Sequence, residues 1–257
     1  MHMEKRMPVL FVGHGSPMNA IEDNTFSKSW REMGKRIGKP KAILAISAHW
    51  QTDYLKVSTS RQYKQIYDMY GFPDELYQVE YHPPGEPACA QRVVDLFGKQ
   101  ISVDNEWGID HGIWSVLVNM YPQADVPVVM MSVGVKQTPQ EQFEIGRKLR
   151  QLRDEGVLIL CSGNVVHNLA LVHWNMAGGY DWAYQFDEYI KRSILDQEYK
   201  NVIQYQQNGA YEKAFRTVEH FYPLLNALGA VTEEDTVSVW NESCMLGAMS
   251  MTSYLFK

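Results

Sequence analysis

Short runs of continuous apolar residues recur along the chain, separated by segments with helical signals. A strand that is apolar at every position is typical of a sheet covered on both faces, because a half-exposed strand would alternate apolar and polar residues. Such runs therefore restrict the chain to folds that place helices on both sides of a sheet. The predicted strands are Pro8–Val12, Ala42–Ser47, Val126–Ser132, Val157–Cys161 and Thr236–Trp240, with a further stretch after Cys244.

Helices are predicted between these strands from their capping residues. In the clearest case Thr138 is a suitable N-cap, Pro139 suits the first turn, Glu141 completes a capping box and Gly156 suits the C-cap. The predicted helices are Thr25–Ile37, Pro87–Phe97, Pro139–Glu155 and a segment from about Trp182 to about Gln206.

The alternation of strands and helices predicts an α/β fold, a three-layer α/β/α domain with a largely parallel sheet. The region Val237–Phe256 has an antiparallel pattern, so the sheet is expected to be mixed. Because no Pro/Gly/Ser-rich linker divides the chain, residues 1–257 are predicted to form a single domain.

Composition excludes several classes of protein. Lys and Arg number 24 against 30 Asp and Glu, and the resulting net charge of −6 argues against a nucleic-acid binder. No apolar run approaches the roughly 20 residues of a membrane span, and the N-terminus lacks a secretory apolar region. Three widely spaced cysteines indicate reduced thiols rather than a disulfide framework. We therefore expect a cytoplasmic protein without nucleic-acid or membrane partners, and its oligomeric state stays open.

Histidines stand after three of the predicted strands. His14 lies between two glycines just after the first strand, His49 follows the second, and His167 comes six residues after Cys161. In open α/β sheets the ligand site lies beyond the carboxyl ends of the strands, so these side chains are expected to meet. Each one alone could be an ordinary core or loop histidine, but three converging imidazoles suit an iron or zinc ion.

Other residues near these histidines allow further interpretations. Ser16 could be a nucleophile with His14 as its base, although the chain lacks a Gly-x-Ser-x-Gly elbow. Asp110 precedes His111 and the apolar helix Ile113–Met120, where it could cap the helix or orient the imidazole. His220 stands just before another short predicted helix.

Taken in order, six motifs resemble the class III extradiol ring-cleaving dioxygenases. This is the family of the protocatechuate 4,5-dioxygenase catalytic subunit, and the motifs are most similar to its DOPA 4,5-dioxygenase branch. The resemblance extends from about residue 8 to the C-terminus, and its specificity lies in the order of the motifs, since each alone is weak. The motifs are Gly13-His14-Gly15-Ser16-Pro17-Met18, Ser47-Ala48-His49-Trp50, Gly71-Phe72-Pro73, Asp110-His111-Gly112-x-Trp114, Ser162-Gly163-Asn164-x-x-His167-Asn168 and His220-Phe221-x-Pro223-Leu224.

The resemblance implies a mononuclear non-haem Fe(II) site. His14 and His49 match the family's metal-binding histidines. His167 matches the acid–base histidine, close enough to coordinate the metal when substrate is absent, and its ordinary pKa range suits that role. His111 matches a second active-site histidine that contacts substrate or oxygen.

The third metal ligand is where the chain departs from the protocatechuate-cleaving relatives, which use a glutamate. The matching position here is His220, and Glu219 and Glu242 remain alternatives. A site of three histidines carries one negative charge fewer than a site of two histidines and one glutamate. It would therefore be less selective for Fe(II) over other divalent metals. Fe(II) is therefore expected for activity, whereas Zn(II), which stands above it in general affinity, is expected to be able to occupy the site.

The resemblance also implies a small catecholic substrate that reacts with O2 to give a ring-opened semialdehyde. The residues predicted to contact that substrate are Ser16, Phe72, Asp110 and Trp114. Two other functions stay open from the residues alone. A zinc-dependent hydrolase could use the same scaffold, since three histidines and an open position also activate water. A non-catalytic metal- or ligand-binding relative is the other, and it would be expected to lack one or more of these histidines.

Overall fold

The computed structural model describes residues 6–257 and contains ten strands and eight α-helices over that range. Residues 1–5, which belong to the N-terminus predicted to lack a secretory segment, lie outside the described residues. The strands are β1 (Val9–Gly13), β2 (Ala42–Thr52), β3 (Lys56–Val57), β4 (Ser102–Val103), β5 (Val128–Gly134), β6 (Val157–Gly163), β7 (Val237–Trp240), β8 (Cys244–Met245), β9 (Met249–Ser250) and β10 (Ser253–Phe256). The helices are α1 (Thr25–Ile37), α2 (Pro87–Phe97), α3 (His111–Met120), α4 (Pro139–Leu149), α5 (Asp181–Leu195), α6 (Tyr199–Ile203), α7 (Tyr211–Ala214) and α8 (Tyr222–Ala230).

Eight of these strands form one sheet in the order β4-β3-β5-β2-β6-β1-β10-β7. The four central strands, β5, β2, β6 and β1, are parallel to one another, whereas β10 runs antiparallel to both of its neighbours. Strands β8 and β9 form a separate antiparallel pair. The predicted mixed, mostly parallel sheet is thereby confirmed.

Both faces of the sheet are covered by helices. On one face, Val9 and Phe11 of β1 join a core with residues of α2, α4, α5 and α8. On the other face, Leu10 and Val12 join a second core with residues of α1 and α3. Successive residues of β1 thus enter opposite cores, which explains why this predicted strand is apolar at every position. The predicted strand Thr236–Trp240 differs, since all four residues of β7 are only partly buried. The three-layer α/β/α arrangement is confirmed.

Two helix predictions need correction. The segment from about Trp182 to about Gln206 is not one helix, because α5 ends at Leu195 and α6 begins at Tyr199. Gln197 lies between them with a φ of 57°, a left-handed conformation that cannot continue a right-handed helix. The helix predicted to reach Glu155 is α-helical only to Leu149 and continues as a 3-10 helix to Arg153.

The cysteines and the helices bear on two of the expectations drawn from composition. All three cysteines are free thiols, as predicted. Between residues 6 and 257, no helix combines the length and the apolar character that a membrane crossing requires.

A close contact between α4 and α8 positions the helix that follows His220. A β-carbon added to Gly146 of α4 would lie 2.0 Å from the carbonyl oxygen of Asn226. One added to Gly229 of α8 would lie 1.9 Å from the carbonyl oxygen of Phe143. The two helices therefore approach each other at distances that only glycine allows at these positions.

We predict that Gly229→Ala destabilises the fold, because backbone must shift to admit the methyl group. The expected loss is about 1–3 kcal/mol, as for other overpacked sites. A loss of 1 kcal/mol lowers the melting temperature by about 2–4 °C in a chain of this size. Gly209→Ala is the control, since no atom of the part of the chain that the structure describes lies within 4 Å of its added β-carbon. Equal melting temperatures for the two variants in thermal unfolding would contradict the close contact.

Candidate metal centre

Five histidines from separate parts of the chain meet beyond the carboxyl ends of the central strands. His14 follows β1, His111 begins α3, and His220 precedes α8. His167 lies four residues after β6, and His49 lies in β2 itself. Their rings are close to one another, with centroid separations of 5.0 Å for His14–His49, 4.1 Å for His49–His111, 5.1 Å for His49–His220 and 3.6 Å for His167–His220.

His49 reaches the site in a different way from that predicted. The second strand was expected to end at Ser47, but β2 continues to Thr52. Its pairing with β5 shifts register between Ile46 and Gln51, so His49 lies in an irregular part of the strand. Such irregularities redirect side chains near functional sites, and here the imidazole lies beside those of His14 and His111.

The hydrogen bonds of Ser162 determine which ring nitrogen of His14 carries a proton. The Ser162 hydroxyl donates to the carbonyl oxygen of Gly112 at 2.5 Å, which uses its only proton. Its oxygen lies 2.9 Å from Nδ1 of His14 and must therefore accept from that nitrogen. In neutral His14 the Nε2 atom is consequently left with a free lone pair.

Asp68 lies behind two of the imidazoles. Its Oδ2 is 2.8 Å from Nδ1 of His49, and its Oδ1 is 2.9 Å from Nδ1 of His111. Burial raises the pKa of the Asp68 carboxyl, but the hydrogen bonds from His111 and His49 outweigh it and leave the pKa well below its usual range. Because an ionised carboxylate only accepts hydrogen bonds, both imidazoles carry a proton on Nδ1.

Glu219 has the same relation to His220. Its Oε1 lies 3.1 Å from Nδ1 of His220 and accepts a second hydrogen bond from the hydroxyl of Thr217 at 2.9 Å. Nε2 of His220 is buried and has no hydrogen-bond partner among residues 6–257. With the Nδ1 proton bonded to Glu219, the lone pair of this nitrogen is available to a metal ion.

One ring nitrogen each from His14, His49 and His220 lie within 4.8 Å of one another. Since every Nδ1 is bonded elsewhere, the nitrogens free to share an ion are the three Nε2 atoms. Nε2 of His14 and Nε2 of His49 are 3.1 Å apart, and when both rings are neutral with their proton on Nδ1, neither Nε2 atom can donate to the other. Two nitrogens bound to one ion at about 2.1 Å would be separated by about 3.0–3.4 Å, so the spacing fits a shared metal ion.

Burial determines the charge state of these rings. It lowers the pKa of His14 and of His220 well below the usual value, so both are neutral near pH 7 and able to bind a metal. Burial also lowers the pKa of His49, but the hydrogen bond to Asp68 and nearby carboxylate charges outweigh it and leave the pKa raised. In the absence of metal, a proton on Nε2 of His49 can therefore lie between the rings of His49 and His14. Binding of a metal ion at this position would release that proton.

His167 packs against His220. The two rings are stacked at 3.6 Å with an interplanar angle of 6°. The main chain fixes His167, because its amide donates to the carbonyl oxygen of Ala214 at 2.8 Å. Burial, together with the nearby His49 and His111, lowers the pKa of His167 to about 3, so the ring is neutral near pH 7.

The two glutamates considered as third ligands are placed differently. Glu219 lies behind His220 and is bonded to its Nδ1. Glu242 is 54% exposed, and its carboxylate pairs with Lys191 at 2.5 Å. Neither belongs to the group formed by His14, His49 and His220.

Asp110 neither caps α3 nor bonds to the imidazole of His111, the two roles considered for it from the sequence. Its side chain makes no capping hydrogen bond. It accepts instead from the hydroxyl of Ser47 at 2.6 Å and from the indole of Trp107 at 2.9 Å. These bonds connect β2 just before His49 with the start of α3. Burial raises the pKa of the Asp110 carboxyl.

The other residues predicted to contact substrate lie at different depths. Trp114 is fully buried and donates from its indole to the carbonyl oxygen of Ile66 at 2.9 Å. Ser16 and Phe72 are partly buried on loops, and their contact with substrate stays a prediction. Both ring nitrogens of His14 face other partners, Ser162 and His49, so neither is placed to act as a base for Ser16.

Sequence reasoning missed Asp68, which holds both His49 and His111. The available signal was its position three residues before Gly71-Phe72-Pro73, one of the family-like motifs. A single aspartate in a loop with no regular secondary structure gives no periodicity to detect. Only the folded chain shows which side chains it contacts.

The chain is similar to known ring-cleaving dioxygenases over nearly its whole length. Residues 8–257 match the family described as the catalytic LigB subunit of aromatic ring-opening dioxygenase. A protein of Escherichia coli strain K12 named 4,5-DOPA dioxygenase extradiol is 42% identical, with 96% of this chain and 94% of that protein covered. A protein of the same name from Beta vulgaris is 39% identical, with 96% and 95% covered. The crystal structure of an uncharacterized protein of Escherichia coli K12 is 39% identical, with a TM-score of 0.87 and 97% of this chain and 99% of that chain covered.

We predict that His14→Ala, His49→Ala and His220→Ala each abolish metal retention, because each removes one converging Nε2 atom. The wild-type protein is expected to retain about one Zn(II) per chain after dialysis, measured by mass spectrometry of the metal content. His82→Ala is the matched control, since this exposed histidine lies outside the cluster. Glu242→Gln should also retain zinc. Full retention by any of the three alanine variants would show that the corresponding residue is not a ligand.

Proposed function

The chain belongs to the family of the catalytic LigB subunit of aromatic ring-opening dioxygenases, and from this membership we propose that it opens the ring of a small catechol at a metal ion held by His14, His49 and His220. It is a ring-cleaving enzyme that uses a small aromatic substrate and O2. The observation that supports the proposed site best is the convergence of one nitrogen from each of these histidines within 4.8 Å. The Nδ1 bonds to Ser162, Asp68 and Glu219 add to it, because they leave the Nε2 atoms free.

Fe(II) is the metal we propose for activity. When bound, it supplies the electron transfer between catechol and O2 that the redox-inactive Zn(II) cannot supply. The three proposed ligands are neutral imidazoles, which bind either ion, and Zn(II) stands above Fe(II) in the general order of affinity. We therefore expect the protein to be purified with some zinc and to need Fe(II) for turnover.

Two further histidines are proposed to handle protons. A catechol must lose its hydroxyl protons to react, and we propose that His167 acts as the acid–base residue. Its pKa of about 3 describes the site without a substrate. The negative charge of a catecholate beside this buried ring would raise that pKa and make His167 a better proton acceptor. His111 donates from Nδ1 to Asp68, so its Nε2 is the atom that would contact substrate or oxygen.

The proposed substrate is DOPA or a similar catechol, cleaved in the extradiol manner. This proposal depends on the relatives named 4,5-DOPA dioxygenase extradiol, which are matched over at least 94% of their own length in Escherichia coli and Beta vulgaris. Ser16 and Phe72 are the proposed direct contacts. Asp110 and Trp114 are proposed to hold neighbouring residues of the site in place rather than to contact the substrate directly, because both are fully buried.

The two other functions are less well supported. Family membership favours oxygen chemistry over a zinc hydrolase. A non-catalytic relative would be expected to lack a site histidine, whereas five histidines meet here. We also propose that residues 1–257 form one catalytic domain and that the enzyme works in the cytoplasm, in keeping with its three free thiols.

Turnover is predicted to need Fe(II), O2 and a catechol together. Apoprotein loaded with Fe(II) under anaerobic conditions should convert DOPA to a yellow semialdehyde when air is admitted, with O2 and DOPA consumed in equal amounts. Protein loaded with Zn(II) is the control and should consume no O2. A panel of catechols that gives neither absorbance change nor O2 uptake would contradict the proposed reaction. Hydrolysis of an ester by the zinc form alone would favour the hydrolase.

A further inference from the structure

One carboxylate serves two imidazoles that the proposed function assigns to different tasks. Oδ2 of Asp68 accepts from Nδ1 of His49 at 2.8 Å. Oδ1 accepts from Nδ1 of His111 at 2.9 Å and also from the backbone amide of His111 at 3.0 Å. The two rings lie 4.1 Å apart, so a single side chain sets the orientation of both.

The segment that carries Asp68 is itself held in place. The amide of Ile66 donates to the carbonyl oxygen of Ile109 at 2.8 Å, and the carbonyl oxygen of Ile66 accepts from the indole of Trp114 at 2.9 Å. The hydroxyl of Tyr67 donates to the carbonyl oxygen of Val79 at 2.6 Å. Asp68 is therefore presented to the histidines by a loop whose position is fixed by α3 and its neighbours.

A second metal ion among these three groups is the competing interpretation, since His49, Asp68 and His111 also lie close enough to hold a cation. The distances argue against it. Both carboxylate oxygens already accept hydrogen bonds of ordinary length from ring nitrogens, and Oδ1 accepts a third from the backbone. The group is therefore satisfied by its own hydrogen bonds without an ion.

We propose that Asp68 is a positioning residue that keeps His49 and His111 in the same tautomer, with the proton on Nδ1. This leaves Nε2 of His49 free for a metal ion and Nε2 of His111 free to accept a proton. The inference depends on the proposed function only for what the two Nε2 atoms do. The tautomers themselves follow from the hydrogen bonds to the carboxylate.

Replacing Asp68 by asparagine gives a directional test, because an amide has one accepting oxygen and one donating nitrogen. The backbone amide of His111 can only donate, so the asparagine oxygen must occupy the position of Oδ1. The amide nitrogen then faces Nδ1 of His49, which can accept from it only without a proton. His49 is thus expected to change to the Nε2–H tautomer, which removes the lone pair that would bind the metal, while His111 keeps its proton on Nδ1.

The experiment compares wild type, Asp68→Asn, Asp68→Glu and Asp74→Asn in protein labelled with ¹⁵N at histidine. Asp74 is an exposed carboxylate on the same stretch of chain and is the matched control. Two-bond ¹H–¹⁵N spectra of the zinc-free protein report each tautomer when they are taken above the pKa of His49, which is raised, so that this ring has lost its second proton. Competition with a chelating dye reports the Kd for Zn(II). Neither readout requires turnover, so an inactive iron-loaded enzyme would contradict the proposed function without affecting this result.

We expect Nδ1–H for both rings in wild type and Asp74→Asn. In Asp68→Asn, His49 alone should change tautomer and the Kd for Zn(II) should rise by about 10–100-fold, as for other groups that orient metal ligands. Asp68→Glu keeps two accepting oxygens and should restore the Nδ1–H tautomers. A wild-type spectrum with either ring as Nε2–H would overturn the proposal even if the asparagine variant failed to fold. So would an Asp68→Asn protein with unchanged tautomers and a Kd within about twofold of wild type.

Discussion

The structure of the site depends on one constraint: buried or partly buried imidazoles whose Nδ1 atoms are all bonded to the protein need a partner for Nε2. Ser162, Asp68 and Glu219 take the Nδ1 protons of His14, His49 and His220. Nε2 of His220 is then left without a partner among the described residues, and the Nε2 atoms of His14 and His49 face each other at 3.1 Å. A buried polar atom without a partner lowers the stability of the fold. A cation at the proposed site would remove that cost, so the hydrogen bonds that orient the rings would also favour metal binding.

The position of negative charge distinguishes this site from a face of two histidines and one carboxylate. The three proposed ligands are neutral, but the carboxylates of Asp68 and Glu219 lie directly behind two of them. A carboxylate hydrogen-bonded to a ligating imidazole increases the basicity of that ligand. In the proposed site the negative charge would thus act through the rings rather than by direct coordination, and the ligand set itself would be less selective for iron.

Local signals predicted the parts of the fold that depend on neighbouring residues. Thr25–Ile37 was predicted to the residue, because Asn24 caps it and glycine ends it. The break at Gln197 was missed, since glutamine carries no signal for a left-handed conformation. At the site, the family-like motifs identified the histidines, whereas Asp68 and the irregular strand around His49 depend on contacts between distant segments. No local pattern records such contacts.

The most direct test of the account is the crystal structure of the Fe(II)-loaded protein, grown without oxygen and measured at the iron absorption edge. The account predicts one anomalous peak at about 2.0–2.2 Å from Nε2 of each of His14, His49 and His220, with every Nδ1 still bonded to its present partner. A peak bound to the carboxylate of Glu219, to an Nδ1 atom, or away from these three histidines would contradict it.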